Sequence, residues 1–179
     1  MQIFTSFAIS KEEYERKVLS WEIDKPERCS TCGRSNSFYR HGYYYRYVVD
    51  SDSESKIPVA RFFCTACRHT TSVIPNFCVP KFQHSAAFIL EALKLILNRT
   101  LIAIEERLRS LFYFYKKRFM RNLPLCEVFL REEGIREVFP EDKRKRAIKI
   151  YDILTSLPKE AGTPFQRVLK SIGKHFMAK

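Results

Sequence analysis

The sequence predicts an α+β protein, with a small antiparallel sheet in its first half and an all-α, helix-turn-helix-like domain in its second. Three observations carry this. Two Cys-x-x-Cys pairs bracket a stretch dense in aromatic and β-branched residues. After Ser85, apolar residues recur at three- and four-residue spacing. The basic residues gather in that same half: residues 1–84 carry 12 Lys+Arg against 9 Asp+Glu, and residues 85–179 carry 20 against 11.

A chain of 179 residues can bury one ordinary core or two small ones. With 45% hydrophobic residues, 14% aromatic residues and only five glycines, it is no disordered tail. The longest apolar stretch, residues 86–97, is broken by Glu91 and Lys94. At about 12 residues it is too short to cross a hydrocarbon layer of roughly 30 Å, so no membrane is expected. The first residues, Met-Gln-Ile-Phe-Thr-Ser, have no basic region or small-residue cleavage site of an export signal. The expected location is therefore cytoplasmic and reducing, where paired cysteines read as metal ligands before disulfides.

Taken in order, Ser10-Lys11-Glu12-Glu13 is a capping box that opens a helix over 11–22, with Tyr14, Val18 and Trp21 on one face. Cys29-Ser-Thr-Cys32 and Cys64-Thr-Ala-Cys67 follow, with 31 residues between the pairs. Two residues between cysteines let a tight turn aim both sulfurs at one tetrahedral ion, about 2.3 Å away for zinc. Cys29, Cys32, Cys64 and Cys67 are therefore the predicted ligands of one structural Zn2+. Gly33 suits the first turn, where the backbone often needs a positive φ. Arg68 holds the equivalent place in the second. His69 is an alternative to one of the cysteines, but four thiolates already close a structural site.

Between the pairs, residues 37–49 and 56–63 read as two strands joined by the polar loop 50–55, and residues 70–74 supply a third. Knuckle, hairpin, knuckle, strand is the order of a zinc ribbon. Neither pair follows a βα pattern, which argues against a redox dithiol. Tyr39, Tyr43, Tyr45 and Tyr47, interleaved with Arg40 and Arg46, have two readings. They either cover a ribbon too small to have its own apolar core or stack on nucleic-acid bases, and the covering role is favoured. Residues 75–80 form a linker bounded by prolines. Cys78 there is a buried apolar residue before it is a fifth ligand. The first domain accordingly covers residues 1–80.

Residues 81–179 form the basic helical domain. Ser85 caps a helix over 86–98, Thr100 one over 101–109, and Ser110 one over 111–122, which Pro124 ends. Core helix, short helix, tight turn and basic helix make 86–122 a helix-turn-helix candidate. Tyr113, Lys116, Lys117 and Arg121 would face outward and Leu111, Phe112, Phe119 and Met120 inward. Between Arg107 and Arg121 there are six basic residues (Arg107, Arg109, Lys116, Lys117, Arg118 and Arg121) and no acid, so a duplex groove is a natural partner. Beyond Pro140, the run Lys143-Arg144-Lys145-Arg146 opens another helix, whose apolar face continues through Ile148, Tyr151 and Leu154. Four consecutive cations cannot all point one way, so some would meet phosphate and some solvent. A last amphipathic helix, 164–178, carries Phe165, Val168, Leu169, Ile172 and Phe176. It would dock on the bundle, on a protein partner or on a second copy of the chain.

The run from Arg61 to Phe77, then Val79-Pro80-Lys81-Phe82 and a capped helix, resembles the zinc-ribbon segment of small bacterial proteins associated with transposases. Cys29-Ser-Thr-Cys32-Gly33 and Arg40-His41-Gly42-Tyr43 match as well. The resemblance covers roughly residues 25–135. It implies a ribbon followed by a helix-turn-helix and DNA binding linked to mobile elements, and it does not imply catalysis. Arg68, where a glycine is usual, and the aromatic character of 111–122 depart from that pattern.

A transposase of the common kind needs three acids holding two metal ions. The chain has five aspartates, Asp24, Asp50, Asp52, Asp142 and Asp152, with two of them in the ribbon loop. It lacks a phosphate-binding glycine loop, a His-Glu-x-x-His pair and a nucleophile elbow. The expectation is a non-enzymatic, zinc-binding protein that binds duplex DNA as an accessory or regulator of a mobile element. The alternatives are a zinc-stabilised protein-interaction module and an RNA-binding protein that uses the aromatic ribbon face.

Overall fold

A computed structural model describes residues 1–5, 9–99, 106–158 and 162–177. The chain divides into two compact units, Met1–Ala86 and Ala87–Lys179.

In the first unit, α1 (Lys11–Leu19) starts at Ser10, whose hydroxyl accepts from the Glu13 amide. Tyr14 and Val18 are its buried side, and the Tyr14 hydroxyl donates to the Val73 carbonyl at 2.7 Å. The helix ends three residues earlier than its periodicity suggests. Trp21 takes a left-handed backbone, φ +62°, and stays partly exposed instead of extending the buried stripe.

Four strands form one sheet: β1 (Gln2–Phe4), β2 (Phe38–Val49), β3 (Glu54–Cys64) and β4 (Thr70–Ile74), in the order β1-β4-β3-β2. β2–β3 and β3–β4 pair antiparallel, while β1 lies parallel to β4. That first strand is only three residues long, with no alternation to reveal it in sequence. The sheet core is Ile57, Val59, Phe62 and Ile74, packed with Tyr14, Val18 and Cys78. Cys78 is thus a core residue, its thiol pushed up to about 12 by burial.

One irregularity orders β2. Arg40 pairs with Phe62 but Tyr43 pairs with Ala60, so three steps on β2 match two on β3. Gly42, at φ +87°, makes this bulge possible. Past the bulge, Tyr44 and Arg46 turn inward: the Tyr44 hydroxyl accepts from Gln2, and Arg46 donates to the Val79 and Phe82 carbonyls. Tyr43, Tyr45 and Tyr47 turn outward and are exposed.

The second unit holds α2 (Ala86–Asn98), α3 (Glu106–Arg121), α4 (Leu123–Glu132), α5 (Lys143–Ser156) and α6 (Pro164–Ile172). Ile89, Leu93 and Leu97 of α2, Tyr115 and Phe119 of α3, and Phe129 and Leu130 of α4 are fully enclosed. Ile150, Leu154, Phe165 and Phe176 complete the core, and the Phe165 and Phe176 rings stack at 4.4 Å.

The break expected at Ser110 is not there. Residues 101–105 lie outside the described residues, but α3 runs from Glu106 to Arg121 straight through an exposed Ser110. Phe112, Tyr115 and Phe119 form one unbroken buried stripe, and its packing outweighs the weak capping preference of a mid-helix serine. Pro124 does not end that helix. It sits in the first turn of α4, a position that needs no amide donor. Asn122 makes the turn between them, donating its side-chain amide to the Arg118 and Phe176 carbonyls. The last helix is also shorter than 164–178, because Gly173 terminates it with φ +73°. Phe165, Val168 and Phe176 are spent on the core of their own unit.

Candidate metal centre and basic face

Each cysteine pair sits in a knuckle with the same backbone wiring. In the first, the Gly33 amide donates to the Cys29 carbonyl and the Cys29 amide to the Arg34 carbonyl. In the second, the Arg68 amide donates to Cys64 and the Cys64 amide to His69. The residue after the second cysteine is left-handed in both, Gly33 at φ +71° and Arg68 at φ +60°.

The β2–β3 pairing sets Phe38 opposite Cys64, which brings the two knuckles together at the open end of the hairpin. The four sulfur atoms lie within 4.8 Å of one another. Cys29 and Cys67 are 3.6 Å apart and Cys32 and Cys64 3.8 Å. A tetrahedron with metal–sulfur bonds of about 2.3 Å has edges of about 3.8 Å, which these two pairs already match, so the four thiols are placed to share a single ion. The donor set is compatible with a structural metal. His69 stands apart from it, its Nδ1 lying 2.9 Å from the Cys67 carbonyl oxygen.

The electrostatics point the same way. The Ser37 hydroxyl, 3.2 Å from Cys64 Sγ, is the main cause that holds this thiol down at about 6. Amides of Cys32 and Thr31 lower Cys29. Cys67 differs. The His69 amide favours its thiolate, but burial and the other sulfurs together push it up to about 12. Four sulfurs this close cannot all ionise without a cation among them.

The basic residues singled out by the sequence separate into two kinds. Arg109, Tyr113, Lys117 and Arg121 are exposed along one side of α3, with Lys116 half-buried beside them and its ammonium 5.9 Å from the Tyr113 ring. Among the described residues, none of these four cations is in an ion pair with an acid. The Arg107 side chain lies outside the described residues. Arg118 is structural: it donates to the Met177 carbonyl at 2.9 Å and stacks on Phe114.

The 143–146 run divides the same way. Asp142 caps α5, accepting from the Lys145 amide. Arg144 donates twice to the Leu97 carbonyl, at 3.0 and 2.7 Å, and so closes the end of α2. Arg146 grips the buried Glu127 carboxylate through two hydrogen bonds of 2.5 and 2.6 Å. Only Lys143 and Lys145 remain exposed. Their spacing in sequence does not distinguish the two kinds. The signal that could have is Glu127, the one acid in the otherwise apolar stretch from Leu123 to Leu130.

Residues 29–109 match the family model of a domain of unknown function (DUF6431), which takes in both knuckles and ends inside α3. No curated protein and no solved structure matches the chain. Among the described residues, no helix is long and apolar enough to cross a membrane.

Proposed function

We propose that this is a non-catalytic, duplex-DNA-binding protein whose ribbon is held by one structural Zn2+. The observation that carries the DNA reading is the wet side of α3: Arg109, Lys116, Lys117 and Arg121 line it beside Tyr113, without an acidic partner among the described residues. Unpaired cations on a rigid helix cost little desolvation to bring against phosphate, and a single helix fits the major groove. The formal net charge of +12 favours the encounter. Zinc is the ion best suited to four thiolates at tetrahedral spacing, and its role there is to fix the hairpin base. The accessory role to a mobile element rests on the resemblance of the ribbon segment alone. The non-catalytic reading rests on the sequence alone, which has only five aspartates and none of the catalytic motifs named above.

The test is a salt titration of duplex binding by the intact protein and by the Lys116→Gln, Lys117→Gln variant. Each phosphate contact contributes about 0.9 to the slope of log K against log salt. The double variant should therefore lose about two from the slope and bind roughly tenfold more weakly. No duplex binding at low salt, or a slope that the variant leaves unchanged, overturns the assignment.

A further inference from the structure

We infer that the outer face of the β2–β3 hairpin is a second, independent nucleic-acid site, a stacking platform for single strands. Residues paired across an antiparallel ladder share a face, so Tyr43, Tyr45 and Tyr47 stand on the same side as Lys56, which pairs with Tyr47. The bulge at Gly42 shifts the alternation by one, and this puts Arg40 on that side too. Trp21 joins the row from the end of α1: its ring is 6.4 Å from Tyr43, and the Arg40 guanidinium lies 5.7 Å from it.

The four rings are 38–51% exposed, so each keeps a sizeable part of its surface open to solvent. Tyr43, Tyr45 and Tyr47 can thus cover the sheet, as their density in sequence suggests, and still offer surface to a ligand. Tyr39 is exposed as well, but it packs toward Phe63 on the other side of the bulge.

Charge and spacing select the occupant. The Lys56 ammonium lies 5.7 and 5.6 Å from the Tyr45 and Tyr47 rings. Among the described residues, neither Arg40 nor Lys56 is in an ion pair, and the one acid in register on this face is Glu54 at the turn end. Aromatic rings alternating with cations suit bases joined by phosphates. The Tyr43 and Tyr45 rings, two residues apart, stand edge to face with their centroids 5.7 Å apart. That is well beyond the ~3.4 Å rise per base along a stacked strand. Such a row fits bases splayed out of their stack, which a duplex does not offer and a single strand does.

The chain's single tryptophan lies in this row and is a built-in reporter. Twelve-nucleotide oligo(dT) and oligo(U) titrated into the full-length, metal-loaded protein should quench Trp21 emission, while a duplex at the same concentration should not. Tyr43→Ala, Tyr45→Ala and Tyr47→Ala, checked for unchanged metal content and circular dichroism, should each weaken single-strand binding between about 5-fold and 150-fold. Tyr45→Phe should keep it. The Lys116→Gln, Lys117→Gln variant should leave quenching and single-strand affinity within about twofold, which separates this site from the α3 face. Binding of either strand supports the platform, and a preference between them identifies DNA or RNA as its ligand. Absence of quenching by both, or alanine variants that bind like the parent, overturns it.

Discussion

Gly33 and Arg68 hold the same left-handed backbone at the same place in the two knuckles, φ +71° and +60°. Each donates its amide to the carbonyl of the first cysteine of its pair. A glycine adopts this conformation freely, and an arginine pays about 1–2 kcal/mol for it. The second knuckle is thus folded against its own local preference, and the sulfur cluster must hold it there. Arg68→Gly relieves the strain and gives back part of it as chain entropy, for a net gain of about 0.5–1 kcal/mol. Gly33→Ala should lose a similar amount. Urea midpoints of the two metal-loaded variants check both signs.

Metal removal should destabilise the first unit and leave the helical signal of the second largely intact. The pH dependence follows from the thiols. With Cys64 held at about 6, its thiolate stabilises the metal-free fold fully above the ordinary value of 9.0, and that contribution is lost as pH falls toward 6. Cys67, raised to about 12, does the reverse: its neutral thiol contributes below 9.0 and is lost as pH rises toward 12. In the loaded protein, protons compete for all four sulfurs, so the ion should leave on the acid side. Ser37→Ala removes the hydroxyl beside Cys64 and should weaken metal affinity by about 10- to 100-fold. Competition with a chromophoric chelator across pH measures both effects.

The four consecutive cations of α5 should respond in opposite ways. Arg146→Met strands a Glu127 carboxylate whose side chain is only 5% exposed, with Arg131 left as its partner at 3.7 Å. Breaking a fully buried pair costs about 3–5 kcal/mol, and the partial exposure of Arg146 brings the expectation to about 2–3 kcal/mol. Lys145→Met should stay within about 0.5 kcal/mol. Denaturant unfolding of the two variants should show the contrast at adjacent positions.

The sequence made the metal centre legible because two residues between cysteines is a local geometric requirement that no distant contact can override. The hairpin was equally legible, since β2 and β3 are long and rich in β-branched and aromatic residues. What failed was punctuation decided by packing. Ser110 and Pro124 are each compatible with a helix end or a helix interior, and the Phe112–Tyr115–Phe119 stripe decided against a break at Ser110. Spacing alone puts Trp21 on a helix face, although α1 ends at Leu19 and Trp21 takes a left-handed backbone beyond it. The outward turn of the tyrosines was hidden for another reason. Strand alternation places Arg40 and Tyr43 on opposite faces, and only the bulge puts them on the same one.

That bulge makes β2 sensitive to length in a way its chemistry does not suggest. The open space around Gly42 would accept a larger side chain, at the cost of backbone strain. Removing one residue between Arg40 and Tyr43 is a different change: it leaves the two the regular two residues apart, so the bulge disappears and Arg40 stays on the tyrosine side. Removing both His41 and Gly42 instead makes them adjacent and sends Arg40 to the opposite face. Related chains should therefore lengthen freely in the 50–53 turn, and should either keep the extra residue together with a glycine at the bulge or lack both.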